Sequence, residues 1–512
     1  MGKKNKSKQK ISGSEKTAMK TEKKMNLKMK KELAAIGEDD IEKVVAQIER
    51  EEAARQKVVE AVVDQPSRRV NFTLTAHPFK DELVMLGGEF HDGRQTTVCG
   101  DMFFYSLNKK TWTVVKAPGA PPPRCGHQAV AIPSNKGELW VFGGEFSSPS
   151  ESQFYHYKDL WVFNFGEKKW KKVAVPNGPT SRSGHRMFYA KKQLFVFGGF
   201  HDNTRDFKYY NDFYIFDLTA YAWQKVEITG ITPPPRSGCI VLPTPDNKIL
   251  IYGGYSKERV KKDVDKGQVH TDMYVLSPPK EESKDQKWKS AHVKQSGIKF
   301  SPRCSSSAVM VSPNVAYLFG GVYDDEDDED DEELHGTFFN DLLALDIEKR
   351  QWKNVVVTPE KDKAKRRRKK NDMDVQDIDA GDDEDEEETE PEPAKVVIDD
   401  GVFTMTLGPA PVASTYSSRG SEGSKSQTFT PAPRINPGLV VKNNVLYLYG
   451  GLYEDGDRQY TLNDFYSLDL HKLNEWQTII ANDVSSQVWL DSESSESDSD
   501  SDDSSDESME VE

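Results

Sequence analysis

The chain has 512 residues, 84 acidic against 69 basic side chains for a net charge of -15, only 36% hydrophobic residues and a mean hydropathy of -0.72. So polar a chain of this length excludes one packed globule throughout, and the lack of any run of about 18 apolar residues excludes a membrane-spanning helix. Four cysteines, Cys99, Cys125, Cys239 and Cys304, form no CxxC pair, which argues against a zinc site or a disulfide framework and for a reducing compartment, nucleus and/or cytoplasm.

Residues 1–31 carry twelve lysines against two glutamates. Little apolar surface is available there to offset the entropy of ordering, so a disordered basic tail is predicted, able to touch nucleic acid weakly and without sequence preference. No apolar stretch follows it, as a secretion signal would need. Gly2 is not read as a myristoylation site, because position 6 is Lys6 rather than Ser or Thr. Over 32–65, Leu33, Ile36, Ile41, Val44, Val45, Ile48 and Val58 recur at three- and four-residue steps, which predicts an amphipathic helix weakened at Gly37. Residues 357–430 run from the basic cluster 363–370 into the acidic cluster 382–392 and then into Ser, Thr, Pro and Gly, and are predicted to be a disordered insertion. Residues 481–512 contain no basic side chain and repeat serine followed by acid. They are predicted to be a second disordered tail, suited to an acid-directed serine kinase and so to a phosphoprotein.

Between these tracts the sequence repeats. Six apolar strands end in paired glycines at Gly87-Gly88, Gly143-Gly144, Gly198-Gly199, Gly253-Gly254, Gly320-Gly321 and Gly450-Gly451, at spacings of 56, 55, 55, 67 and 130 residues. The last interval holds one repeat plus the charged insertion. Ahead of each pair stands an arginine in a turn: Arg68 and Arg69 in the first copy, then Arg124, Arg182, Arg236, Arg303 and Arg434. Behind it an aspartate opens an alternating apolar strand, at Asp101, Asp159, Asp212, Asp272, Asp341 and Asp464, and a tryptophan strand closes the unit, at Trp112, Trp170, Trp223, Trp288, Trp352 and Trp476. Period-two runs of Val, Ile, Phe, Tyr and Trp bounded by Gly and Pro are strands. A lone four-stranded sheet of about fifty residues cannot bury both faces, whereas six stacked radially can.

These residues resemble the kelch repeat, over 66–356 and 431–480. The resemblance implies an all-β, six-bladed β-propeller with the insertion between blades 5 and 6, in a group of kelch proteins without BTB domains. Because the array opens with a first-strand segment at 70–76 and ends on the Trp476 strand, the ring is expected to close by blade packing and not by exchange of a strand between termini.

Strand alternation puts the loop after the second strand and the turn into the next blade on one face. That face is expected to gather Arg124, Arg182, Arg236, Arg303 and Arg434 from the turns. From the loops it gathers Tyr155 and Tyr157 of blade 2, Arg205, Tyr209 and Tyr210 of blade 3, Lys257, Arg259, Lys261 and Lys262 of blade 4, and Arg458 of blade 6. Arginine grips carboxylate or phosphate bidentately and aromatics give rigid contact area, so an acidic or phosphorylated protein or peptide partner is expected. The competing reading of the repeated arginines is structural, since blade architecture alone can demand a residue at the same place in every copy.

The ten histidines are scattered, with His127 and His185 at matching repeat positions, and no nucleophile, phosphate-loop or dinucleotide fingerprint occurs in a suitable context. The reading is therefore a non-enzymatic, monomeric interaction scaffold with no cofactor, no metal and no membrane contact. Two alternatives within binding remain: a substrate receptor of a cullin-type ubiquitin ligase, and a nuclear or nucleolar factor near RNA or ribosome assembly. Regional charge favours an acidic ligand: the repeats balance at 42 acidic and 42 basic residues, and without the acidic run 324–333 they stand at +10.

Overall fold

The computed structural model describes residues 38–203, 206–261, 264–280, 287–324, 336–359, 396–399, 404–407, 429–455 and 458–487. The tail 1–31, residues 325–335 with most of the acidic run, and the C-terminal run from 488 lie outside them. Six sheets form the blades of a propeller. In blade 2 the strands Gln128–Ile132, Glu138–Phe142, Leu160–Asn164 and Lys169–Val173 run antiparallel from the axis outward. The other five blades repeat the order, ending with blade 6 at Gly438–Lys442, Val445–Asp455, Arg458–Asp469 and Trp476–Ile480.

Alternation makes each sheet apolar on both faces, and the cores lie between blades. Trp170, for example, sits with Val84, Leu86 and Met102 of blade 1 and Leu139, Val141 and Phe163 of blade 2 in one cluster. Two hydrogen bonds per blade explain the repeated arginine and glycines. Within blade 2, Arg124 Nη1 donates to the Gly143 carbonyl at 3.0 Å, and across to blade 3 the Gly144 N–H donates to the Arg182 carbonyl at 2.9 Å. Gly144 holds φ 92°, and a β-carbon there would lie 2.7 Å from the Cys125 carbonyl oxygen, so only glycine fits.

The axis is lined by a collar. Asn71, Gly126, Gly184, Gly238, Ser305 and Asn436, each two residues after a repeat arginine, all have φ between 46° and 61°. Their main chains link blade to blade, Gly126 N–H to Asn71, Gly184 to Gly126, Gly238 to Gly184 and Asn436 to Ser305. The seam between blades 6 and 1 is completed by the Asn436 carboxamide donating to Asn71 Oδ1 at 3.0 Å and by a shared core of Phe72, Trp112, Tyr449 and Phe465. All four strands of each flanking blade come from one continuous stretch, so the ring closes by packing, as expected.

Two expectations change. Of the helix predicted over 32–65, residues 32–37 lie outside the described residues, and the remainder holds helix α1, Ile41–Ala54, N-capped by Asp40, whose carboxylate accepts from Glu42 N–H. Its apolar spacing does not continue: Val59–Val63 form strand β1, paired antiparallel with the Trp112 strand on the outer edge of blade 1. A valine-rich, β-branched run beside an open sheet edge extends the sheet in preference to the helix. Within the insertion, Val396–Asp399 pairs with Thr404–Leu407, so those eight residues are a strand pair and not irregular chain; the rest of 360–428 lies outside the described residues. Among the described residues, no helix is long and apolar enough to cross a membrane.

Candidate interaction face

After each glycine pair the chain climbs into a hairpin on one face. The bases are Glu89–His91/Thr96–Val98, Glu145–Ser147/Phe154–His156, Phe200–Asp202/Phe207–Tyr209, Tyr255–Lys261/Val264–Val269 and Val322–Asp324/Gly336–Phe338. In blade 6 the second and third strands simply run on to Asp455 and from Arg458. Single bridges such as Cys125 with Glu145 and Ser237 with Tyr255 fasten the turn ahead of each blade to its hairpin base. Loops and turns thus share one face, as the strand alternation predicts.

The arginines do not belong to that surface. Arg124, Arg182, Arg236, Arg303 and Arg434 are at most 6% exposed. Each bonds its own glycine-pair carbonyl and pairs with the repeat aspartate of its blade: Arg124 with Asp159 at 2.8 Å, Arg182 with Asp212 at 2.5 Å, Arg236 with Asp272 at 2.6 Å, Arg303 with Asp341, and Arg434 with Asp464 at 2.6 Å. Burial pushes the Asp159 carboxyl up, but the Arg124 charge beside it prevails and holds it below its usual range. A buried guanidinium already bonded to a carboxylate and carbonyls has nothing left for a ligand, which removes these five from the recognition set. Two predicted aromatics serve the same locks: the Tyr157 ring lies 4.1 Å from the Arg124 guanidinium carbon and the Tyr210 ring 4.2 Å from that of Arg182. Tyr157 is buried and its hydroxyl donates to the Pro123 carbonyl at 3.0 Å.

Blade 2 carries an occupant that the sequence reading does not anticipate. Helix α1 lies on its hairpin, with Ile41 and Val45 buried against Tyr157 and packed by Phe146 and Tyr155. Burying two such side chains contributes about 1.5–3 kcal/mol each. Lys172 of the outer strand pairs with Glu49 at 2.5 Å, and Lys168 with Glu60 of β1. Glu38, ahead of the helix, is held at about 2: partial burial opposes this, and hydrogen bonds from Ser150, Ser152 and Ser148 outweigh it. Sequence reasoning missed this because the acid-rich start Glu38-Asp39-Asp40 meets a Ser-rich loop 112 and 114 positions further along the chain.

Among the described residues, the predicted side chains that remain exposed belong to blades 4 and 6. The long hairpin of blade 4 projects Lys257, Arg259 and Lys266 into solvent. Arg259 also pairs with Asp265 at 3.1 Å and with Asp206 of blade 3 at 3.3 Å, and lies over the Phe207 ring, tying the two hairpins together. Tyr209 is half-buried between Phe200 and Tyr255. Arg458 is exposed at the blade 6 tip. Arg205 and Lys262, and the side chain of Lys261, lie outside what is described.

Around the axis the face is not basic. The residues at the hairpin bases are Glu89, Glu145, Phe200, Tyr255, Val322 and Leu452. Burial pushes Glu145 up to about 8, with the neighbouring Glu89 carboxylate adding to it, and burial likewise raises Glu89, which accepts from the Asn71 carboxamide. His156 bridges blades 2 and 3: its Nε2 accepts from Asp202 N–H at 3.0 Å and stands 3.2 Å from Glu145, and its Nδ1 faces Ser183 Oγ at 3.1 Å. The Asp202 bond assigns the ring proton to Nδ1, so this Ser-His-Glu chain has no base aimed at the serine, and Ser183 is fully buried. Among the described residues no group of three or more His, Cys, Asp or Glu is placed to hold a metal. His127 and His185 are buried at the inner strands, packed under Gly87 and Gly143 of the preceding blades.

The Glu145 carboxyl yields a pH prediction. From its ordinary value of 4.5 up to about 8 the folded chain keeps a proton that the unfolded chain has lost, so this group's contribution to stability falls as pH rises through that window. Glu145→Gln keeps a neutral carboxamide there. Urea midpoints from pH 5 to 9 are expected to show the variant gaining on the wild type up to about pH 8; a constant difference would contradict the burial argument.

Comparison of the sequence with known families agrees with the repeat. Residues 71–321 match the KLHDC2/KLHL20/DRC7 Kelch-repeats domain. The chain is 28% identical over 200 residues to Kelch repeat-containing protein 2 of Saccharomyces cerevisiae, covering 36% of this chain and 21% of that protein. It is 26% identical over 305 residues to host cell factor 1 of Homo sapiens, covering 55% and 14%. It is 28% identical over 256 residues to the flagellar outer-arm dynein alpha chain of Chlamydomonas reinhardtii, covering 48% and 5%. The chain thus spans about a fifth of the length of these relatives or less. The solved structure of YjhT aligns over 81% of this chain and 98% of its own at 15% identity, with a TM-score of 0.44. Six blades, each bearing the glycine pair, the arginine with its aspartate and the closing tryptophan, make this a six-bladed β-propeller with a Kelch-repeats domain over residues 71–321.

Proposed function

We propose that the chain is a non-enzymatic interaction scaffold whose propeller holds an acidic or phosphorylated protein segment on the hairpins of blades 3 and 4. The observation that carries this reading is the contrast within one face. Every cation that the repeat demands is buried against an aspartate, whereas Lys257, Arg259 and Lys266 stand exposed on a hairpin longer than those of blades 1 to 3, beside Phe207 and Tyr209. Exposed charges that the fold does not require cost little and give steering and specificity to association. The Ser-His-Glu chain near the axis serves packing between blades under this reading.

The test is proximity labelling in cells with the intact chain and with Lys257, Arg259, Lys261 and Lys262 all replaced by Glu. The reversed hairpin is expected to lose its main partners while purified protein keeps its unfolding midpoint. An unchanged partner set would overturn the reading, and retention of a cullin in that set would favour ligase work. Deleting 363–370 in the same cells is expected to shift the chain from nucleus toward cytoplasm, and an unaltered distribution would leave that cluster as linker charge.

A further inference from the structure

Apart from Tyr157, which also backs Arg124, the blade 2 hairpin and helix α1 recognise each other through groups outside the blade's repeat. At the tip, Ser150 N–H donates to Glu38 Oε1 and the Ser152 hydroxyl to Glu38 Oε2, both at 2.9 Å. The buried Gln153 carboxamide reads main chain: it donates to the Asp39 carbonyl at 2.9 Å and accepts from Ile41 N–H at 3.1 Å, one of the donors that a helix start leaves unsatisfied. Beneath the tip, Ile41 and Val45, one turn apart, enter the groove of Phe146, Tyr155 and Tyr157. The hairpin therefore reads a carboxylate, a helix N-terminus and two apolar side chains at i and i+4.

The hairpin itself holds only the start of the helix, and beyond it Glu49 reaches Lys172 of the outer strand. Ala46, Gln47, Arg50, Glu51, Ala53 and Ala54 face solvent, and a helix of 14 residues is marginal by itself in water. If it lifts, β1 still tethers it through five paired residues on blade 1. The occupant is also strongly acidic, with Glu38, Asp39, Asp40, Glu42, Glu49, Glu51 and Glu52 against Lys43 and Arg50 over 38–54.

We propose that the blade 2 hairpin is a receptor for an acidic-capped amphipathic helix of the pattern Glu-x-Asp-Ile-x-x-x-Val, filled in the resting chain by residues 38–54 and open to a partner helix of the same pattern once that segment lifts. The proposal adds a second, separately gated site to the interaction face and rests on the scaffold reading only for the partner. The exchange itself is testable without one.

A fluorescent peptide with the sequence of residues 36–56 is titrated into the intact chain and into the full-length variant Glu38→Lys/Ile41→Asp. In the wild type the tethered segment competes at an effective concentration near millimolar, so little binding in trans is expected. The variant is expected to bind the peptide at least tenfold more tightly, and to lose that gain when Gln153→Ala is added or when the peptide itself carries Glu38→Lys. Equal binding by wild type and variant, or a gain indifferent to Gln153, would overturn the proposal. Should the double variant fold poorly, Glu38→Ala alone is expected to speed amide exchange of 41–48 at least tenfold with the blade strands unchanged, and unchanged exchange at 41–48 would equally overturn it. Failure of the blade 4 hairpin to hold a partner would leave these results as they stand, so the two readings fail separately.

Discussion

Replacing Asp464 with alanine is expected to destabilise the propeller by about 3–5 kcal/mol, while the same change at Asp101 costs no more than about 1 kcal/mol. The two positions are equivalent in the repeat, and the difference comes from burial. Arg434 and Asp464 are both fully buried and doubly bonded, at 2.6 and 2.8 Å. Alanine at 464 leaves a guanidinium without its counter-charge in a site closed to water. Asp101 is 43% exposed and lies 3.9 Å from Arg69, whose bonds to the carbonyls of Gly87 and Ser67 persist without it. Urea unfolding of both variants measures the contrast. Equal losses would mean that the arginine locks act through something other than desolvated charge.

Trp112→Ala is expected to cost about 3–5 kcal/mol and to loosen the ring at one place. Trp112 is 1% exposed, with Tyr105 of its own blade at 4.8 Å and Tyr449 and Phe465 of blade 6 at 5.6 and 5.9 Å between ring centroids. Among the described residues no disulfide or exchanged strand closes the propeller, so the seam is carried by this aromatic cluster, the Asn436–Asn71 bond and the bonds of Arg68 to the Thr461 carbonyl, Lys442 to the His77 carbonyl and Asn443 to the Asp81 carboxylate. Hydrogen exchange is expected to rise first at Thr73–Ala76 and Gly438–Lys442. Uniform loss of protection around all six blades would contradict a localised seam.

The blades were legible because their signals are periodic. Gly-Gly, Arg, Asp and Trp recur in fixed order, and each proves to occupy one physical niche: tight backbone approach, a buried lock and the filling between sheets. The same regularity left two readings at the site, and the structural one holds. An arginine repeated six times looks like a cationic ring, yet repetition is the mark of a scaffold requirement, and its partner aspartate recurs beside it at every copy. Helix α1 was legible from its apolar spacing. Its end was not, because 59–63 reads as helix by spacing alone and becomes strand only when the edge of blade 1 is present. The pairing of Glu38 with Ser150 and Ser152 joins residues 112 and 114 positions apart, which no local pattern encodes. The carboxyl pair Glu89 and Glu145 was equally hidden, since each sits in an ordinary-looking GGEF and only the ring brings them to one mouth.

Under the proposed function, recognition falls to what differs between blades and stability to what repeats. The most direct measurement is amide exchange of the intact chain, alone and bound to a partner captured by it. Protection is expected in the hairpins 200–210 and 255–269, with none at the opposite turns 107–110, 165–168 and 346–350. Protection at those opposite turns with the hairpins unaffected would contradict the account.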